Sequence, residues 1–290
     1  MNRRIKILLA TSLLVSSLTT AAAPTVEQRQ QLNQAISAYQ QQDYRRAHEL
    51  FLPLAQQGYA TAQHNLGVMY EKGQGVPQDY ARARHWFEQA AVQGVSASQY
   101  NLGIFYQNGY GVGRDFSRAC HWYGKAAAQG YAVAQYNFGI CYEKGQGMPQ
   151  NYVYARDWYE KAAAQGFPDA QFNLGVLYLN GHGVPQDYAR ACYWFEQAAA
   201  QGMAVAQFNL GAFYEKGLGV PRDYAIARRW YENAAAQGYA AAQHNLGMLY
   251  YQGHGVPQDY ARARYWLEKA AAQGDGSAQS ALRLLQQEGH

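Results

Sequence analysis

Residues 70–81 read YEKGQGVPQDYA: two glycines one residue apart, then Val-Pro, then an acid. A Gly-x-Gly of this kind binds a dinucleotide phosphate when a strand precedes it and a helix follows it directly. Otherwise it is a turn. The rest of the chain decides between the two. The dipeptide Gln-Gly recurs at Gly58, Gly94, Gly130, Gly166, Gly202, Gly238 and Gly274, every interval being 36 residues. Six full units follow one another without insertion, over 59–94, 95–130, 131–166, 167–202, 203–238 and 239–274.

With the unit numbered 1 to 36, positions 9, 15, 17 and 36 are always Gly, position 5 Gln, position 7 Asn, position 12 Tyr and position 28 Trp. Apolar residues recur at helical spacing over positions 4, 8, 11 and 12, and again over 22, 25, 28, 29, 32 and 33. Each unit therefore reads as two helices, A (about 3–14) and B (about 22–35). The quoted stretch lies between them. Its first glycine suits the left-handed residue that ends a helix. The proline cannot continue helix A. The acid at position 21 (Asp79, Asp115, Asn151, Asp187, Asp223, Asp259; Asn in the third unit) can N-cap helix B. A helix precedes the glycines, and the pattern occurs six times, so it reads as a turn.

A helix pair of this size cannot bury its own apolar face, so neighbouring units must stack. The expected fold is all-α, a right-handed α/α superhelical solenoid. Gly at position 9 lets two helices approach closely, and Trp at position 28 fills the space between layers. The ends differ from the middle. Residues 24–58 form an N-terminal capping helix pair without the Gly-x-Gly loop, and residues 275–290 repeat helix A once more as a C-terminal cap, with Arg283 where Gly stands at position 9. Gly113 replaces Pro and Gly124 replaces Glu in the second unit alone, which predicts that this unit is the softest.

The N-terminus, MNRRIKILLATSLLVSSLTTAAAP, has a basic start, an apolar run and small residues. That is the layout of a cleaved signal peptide over 1–23, with cleavage near Ala22 and a periplasmic or secreted mature chain. The apolar run is short for a membrane anchor, and no stable membrane insertion is expected after cleavage. Without Arg3, Arg4 and Lys6 the chain carries 21 basic against 20 acidic residues, which gives no electrostatic case for nucleic acid.

The unit A-x-A-Q-[YFH]-N-L-G-x-x-Y-x-x-G-x-G-V-P-x-D-Y-x-x-A-x-x-W-[FY]-x-x-A-A-x-Q-G resembles the Sel1-like repeat, a relative of the tetratricopeptide repeat, over 59–274. The pair at 24–58, with Tyr39, Tyr44 and Ala47, looks closer to a plain tetratricopeptide unit. The resemblance implies a scaffold that binds another protein or peptide, acting as a non-catalytic adaptor in the cell envelope or in host contact. A cysteine-rich branch of the family is described as penicillin-binding with weak β-lactamase activity, which makes an envelope hydrolase the alternative. That branch has a regular cysteine pair in each repeat, whereas this chain has three cysteines in all. None of the serines after residue 23 has Lys three residues on, the pattern an acyl-transfer enzyme of that kind uses. No cofactor and no metal are expected, and the histidines read as isolated surface residues. Cys120 at position 26 and Cys141 at position 11 of the next unit form the candidate disulfide, free thiols being the other reading.

The candidate partner-binding residues lie on one flank of helix A. Position 6 reads His64, Tyr100, Tyr136, Phe172, Phe208, His244, and position 13 reads Glu71, Gln107, Glu143, Leu179, Glu215, Tyr251. Position 10 beside them is aliphatic or Met. In tetratricopeptide relatives the equivalent flank lines the concave groove. Exposed rings give contact area at low entropic cost. Position 6 can equally serve to pack against the next unit, and both readings stand at this point.

Overall fold

The computed structural model describes residues 25–289, and the proposed signal segment lies outside them. The described residues hold fifteen helices and no strand. They fall into two compact units, one ending at Val95 and the other beginning at Ser96. The first contains α1 (Val26–Gln40), α2 (Tyr44–Gln56), α3 (Ala60–Lys72) and α4 (Tyr80–Val92). The second contains the A helices α5 (Ser96–Asn108), α7 (Ala132–Lys144), α9 (Pro168–Asn180), α11 (Ala204–Lys216) and α13 (Ala240–Gln252). Its B helices are α6 (Phe116–Ala128), α8 (Tyr152–Ala164), α10 (Tyr188–Ala200), α12 (Tyr224–Ala236) and α14 (Tyr260–Ala271), and α15 (Gly276–Gln287) closes it. Within each unit consecutive helices pack in antiparallel-pair fashion, the arrangement of an α-solenoid.

The Gly-x-Gly turn is built as its residues dictate. Gly73 ends α3 in the left-handed region at φ 67°, where a side chain is strained. Gly75 does a second job. A Cβ there would stand 2.5 Å from the Tyr44 carbonyl carbon, so the loop lies directly on the start of the preceding B helix. Gly219 meets Tyr188 and Ala189 in the same way. The acid then caps helix B: Asp79 Oδ1 accepts from the Arg82 N–H at 2.9 Å, and Asp115, Asp187 and Asp259 repeat this bond. Asn151 and Asp223 cap their helices likewise.

The core departs from the sequence-based expectation at one point. The tryptophans of position 28 are only half-buried. They do pack between layers, as Trp158 does beside Phe138, Ala126 and Ala127. The residue buried most completely is its neighbour at position 29: Phe87, Tyr159, Phe195, Tyr231 and Leu267 are all 0 % exposed. This side chain is what the position-9 glycine accommodates, since a Cβ on Gly175 would fall 2.6 Å from Phe195 Cε1. Burying each such ring contributes about 2–3 kcal/mol.

A glutamine ladder joins successive repeats. Gln135 Nε2 donates to the Ala127 carbonyl at 3.2 Å, and its Oε1 accepts from Gln165 Nε2 at 2.8 Å. Gln165 also donates to the Gly130 carbonyl at 2.9 Å. Positions 5 and 35 are thus fixed by the need to satisfy backbone groups at the ends of stacked helices.

Candidate partner-binding stripe

In the first unit, His64 stands half-buried against Phe87, ring centroids 5.8 Å apart. Burial pushes its imidazole down to about 4, with Lys72 adding to the effect. The surface-histidine expectation is therefore wrong for His64. It holds for His85 and His121, which are exposed. Glu71, next on the stripe, has its carboxyl pushed up by burial, and Val68 between them is buried.

In the second unit every position-6 ring is half-buried. Four of the five pack on the position-29 ring of their own repeat: Tyr100 on Tyr123 at 5.7 Å, Tyr136 on Tyr159 at 5.7 Å, Phe172 on Phe195 at 5.5 Å and Phe208 on Tyr231 at 5.9 Å. Three also touch the first residue of the next repeat: Tyr100 lies 5.5 Å from Tyr131, Tyr136 5.2 Å from Phe167 and Phe208 5.3 Å from Tyr239. Tilted rings at these separations attract one another beyond simple burial. Burial pushes the phenols of Tyr100 and Tyr136 up to about 12, Tyr131 adding to the first and Asp169 and Glu143 to the second. His244 closes the row, its Nδ1 3.1 Å from Asn245 Oδ1. Position 6 thus packs against the next repeat in three places, as one of the two readings expects, and each ring remains partly exposed.

Position 13 is more constrained than the sequence suggested. Gln107 accepts the Tyr123 hydroxyl at 2.7 Å, Glu143 accepts that of Tyr159, and Glu215 accepts that of Tyr231 at 2.5 Å. Tyr251 donates to Glu288, the residue that caps the C-terminal end of α15, at 2.8 Å. Burial drives the phenols of Tyr123, Tyr159 and Tyr231 far upward, the carboxylate neighbours of the last two adding to it. Sequence reasoning missed these partners, although a Tyr at position 29 coinciding with Gln or Glu at position 13 was the available signal.

Cys120 and Cys141 are bonded, their Cα atoms 6.0 Å apart, so α6 and α7 are joined covalently. Cys192 is buried, and burial pushes its thiol up to about 12, with Glu196 adding. A thiol held neutral in this way is unreactive at ordinary pH. Among the described residues no three His, Cys, Asp or Glu side chains gather closely enough to hold a metal. No helix among them is long and apolar enough to cross a membrane.

A family model described as Sel1 repeat matches residues 37–59, 60–95, 96–131, 132–167, 168–203, 204–239 and 240–275. Its first match takes in α2 and part of α1, a region read from sequence as a tetratricopeptide-like cap. The crystal structure of c5321, a protective antigen of uropathogenic Escherichia coli strains displaying an SLR fold, is 36 % identical with a TM-score of 0.88 over 91 % of this chain. The chain spans only 57 % of that protein. A Sel1 repeat protein from Oxalobacter formigenes is 33 % identical with a TM-score of 0.72, over 83 % of this chain and 96 % of its own. No curated protein matches.

Proposed function

The chain belongs to the Sel1 repeat family, and on that premise we propose that it is an exported, non-catalytic scaffold that binds another protein or peptide along its position-6 stripe. One observation carries this reading: every position-6 side chain stays partly exposed although a rigid position-29 residue backs it. A ring already held on one face loses little freedom when a partner covers the other. In the second unit the stripe centres on Phe172 and Phe208, so an extended segment with apolar side chains is the partner that suits it. Export rests on the N-terminal segment 1–23, and the description of the E. coli relative as a protective antigen accords with it.

A photo-crosslinking amino acid placed at position 136 or 172 of the full chain tests the binding surface. The expected result is a discrete adduct in cells, lost when Phe208 and Tyr100 are both changed to Ala. Partner recovery unchanged in folded Tyr136→Ala and Phe172→Ala proteins would refute the stripe as the binding surface. N-terminal sequencing of the exported protein, with a start near residue 23, tests the localisation.

A further inference from the structure

A charge relay links B helices across two junctions of the second unit. Between the fifth and sixth repeats Arg228 bonds Glu232 at 2.6 Å, the Tyr250 hydroxyl lies 3.5 Å from the same carboxylate, and Arg262 donates to that hydroxyl at 3.4 Å. Arg262 also pairs with the capping Asp259 at 3.3 Å. Between the third and fourth repeats Arg156, Glu160, Tyr178, Arg190 and Asp187 occupy the same places, with Arg156–Glu160 at 3.7 Å, Arg190–Tyr178 at 3.3 Å and Arg190–Asp187 at 3.3 Å.

Between the second and third repeats every charged place in this relay is neutral. Cys120 stands for Arg, Gly124 for Glu, Tyr154 for Arg and Asn151 for Asp. Two neighbours change with them: Phe138 stands where all siblings have Leu, and Met148 where all have Val. These departures converge in space. Phe138 and Met148 line an open depression of about 480 Å³ together with Gly124, whose missing side chain uncovers the Phe138 ring. Exposed His121 and Lys125 form its rim. Rings continue outward from the floor, Phe138 lying 5.0 Å from Tyr142 and Tyr142 5.3 Å from Tyr154, which is 52 % exposed. Arg118 of α6 does not line the depression and pairs with Asp115 at 3.3 Å, so Lys125 is the rim's fixed charge, and with Gly124 in place of glutamate no acid of α6 offsets it.

We propose that this depression is a second docking site, separate from the stripe, which takes one large apolar side chain from an acidic segment of a partner protein. The apolar floor selects a ring or branched chain, and carboxylates beside it complement Lys125 across a partly desolvated rim. Arginines of the relay are missing elsewhere too, since Cys192 and Ile226 take their places between the fourth and fifth repeats, and Cys120 is accounted for by its bond to Cys141. What sets this junction apart is that Gly124, Tyr154, Asn151, Phe138 and Met148 all depart from their siblings in one place.

The test uses the full mature chain and a fluorescein-labelled peptide, Gly-Glu-Glu-Trp-Glu-Glu-Gly, read by anisotropy. Saturable binding is expected. Lys125→Glu should weaken it at least tenfold, and Gly124→Glu, which returns the sibling carboxylate to the floor, should do the same. Peptides with Ala for Trp, or with Lys for every Glu, should not bind, and Phe172→Ala on the stripe should leave binding unchanged. No saturable binding, equal binding of the Lys peptide, indifference to Lys125→Glu, or loss with Phe172→Ala would each overturn the proposal. A Cβ on Gly124 would stand 3.0 Å from Phe138, so that variant can fail to fold; exposed Lys125 keeps the test decisive.

Discussion

Gly175→Ala sets two effects of opposite sign against each other. Gly175 lies inside α9, where Ala ordinarily stabilises a helix over Gly by about 0.5–1 kcal/mol. Here the new methyl would meet Phe195 Cε1 at 2.6 Å and Cδ1 at 2.7 Å. Carbon atoms rest at about 3.5–4.0 Å, so the ring must retreat by about 1 Å. It has nowhere to go, being 0 % exposed, with Phe172 at 5.5 Å and Phe213 edge-on at 5.5 Å. Overpacking of this kind costs about 1–3 kcal/mol, so the net effect should be a loss of about 1–2 kcal/mol. In a Phe195→Ala background the obstacle is gone, and the same change should stabilise by about 0.5–1 kcal/mol. Repeat arrays need not unfold in one step, so hydrogen exchange of the α9 and α10 amides is the suitable measure. Higher protection in Gly175→Ala alone, or the same effect in both backgrounds, would refute the close-approach account of position 9. Gly276→Ala, where a Cβ meets nothing within 4 Å, supplies the control and should not destabilise.

His64 has a folded-state value near 4 against about 6.5 unfolded, so the unfolded chain binds more protons between them, and stability falls as pH drops from about 6.5 to 4, by about 2–3 kcal/mol at most. His64→Phe, the residue its siblings at 172 and 208 carry, should remove that component from a melting-temperature series in this window; a difference between the two proteins that does not vary with pH would refute it. Cys141→Ser, or reduction, opens a link of sequence separation 21 and should cost about 2–4 kcal/mol, read as faster exchange confined to α6 and α7. Gly113 has open space around it, does not have a positive φ, and faces Pro in every sibling, so Gly113→Pro should stabilise the second repeat by about 0.4–1 kcal/mol, seen as slower exchange in α5 and α6.

The period, the two helices of each repeat and their caps were legible because they rest on local chemistry. A left-handed glycine, a capping acid and a proline act within a few residues of themselves, and each recurs in phase. Partner choice across helices was not legible. Positions 28 and 29 are adjacent on the same helix, and which one turns inward depends on how helix B crosses helix A. Helical spacing contains both, so it did not show that Tyr159 is buried completely while Trp158 is only half-buried. His64 was misread for the same reason, since its burial comes from Phe87 on the other helix. Softness of the second repeat was read from Gly113 and Gly124 alone; the Cys120–Cys141 bond and the Phe138 ring against Gly124 both work against it.

The same cross-helix pairing separates what the scaffold demands of the stripe from what it leaves open. Position 13 follows position 29. Tyr123, Tyr159 and Tyr231 face Gln107, Glu143 and Glu215, which accept their hydroxyls, whereas Phe195, which has none, shares its repeat with Leu179. Leu267 has no hydroxyl either, and there position 13 is Tyr251, which turns to Glu288 instead. A buried phenol without an acceptor would cost about 1–3 kcal/mol, which is enough to fix the choice at position 13 without any partner. Glu71 beside Phe87 is the exception, a carboxyl raised by burial with no phenol in its own pair. Position 6 is held less tightly. Tyr136 lies over Tyr159 and Phe172 over Phe195 at nearly the same distance, 5.7 and 5.5 Å, so a ring without a hydroxyl fits the same place, although the Tyr100 and Tyr136 hydroxyls bond Asn137 and Asn173 of the next repeat. Ring stacking alone therefore does not choose among Tyr, Phe and His at position 6, and at Phe172 and Phe208, which have no hydroxyl to bond, a partner's requirements have the most room to act.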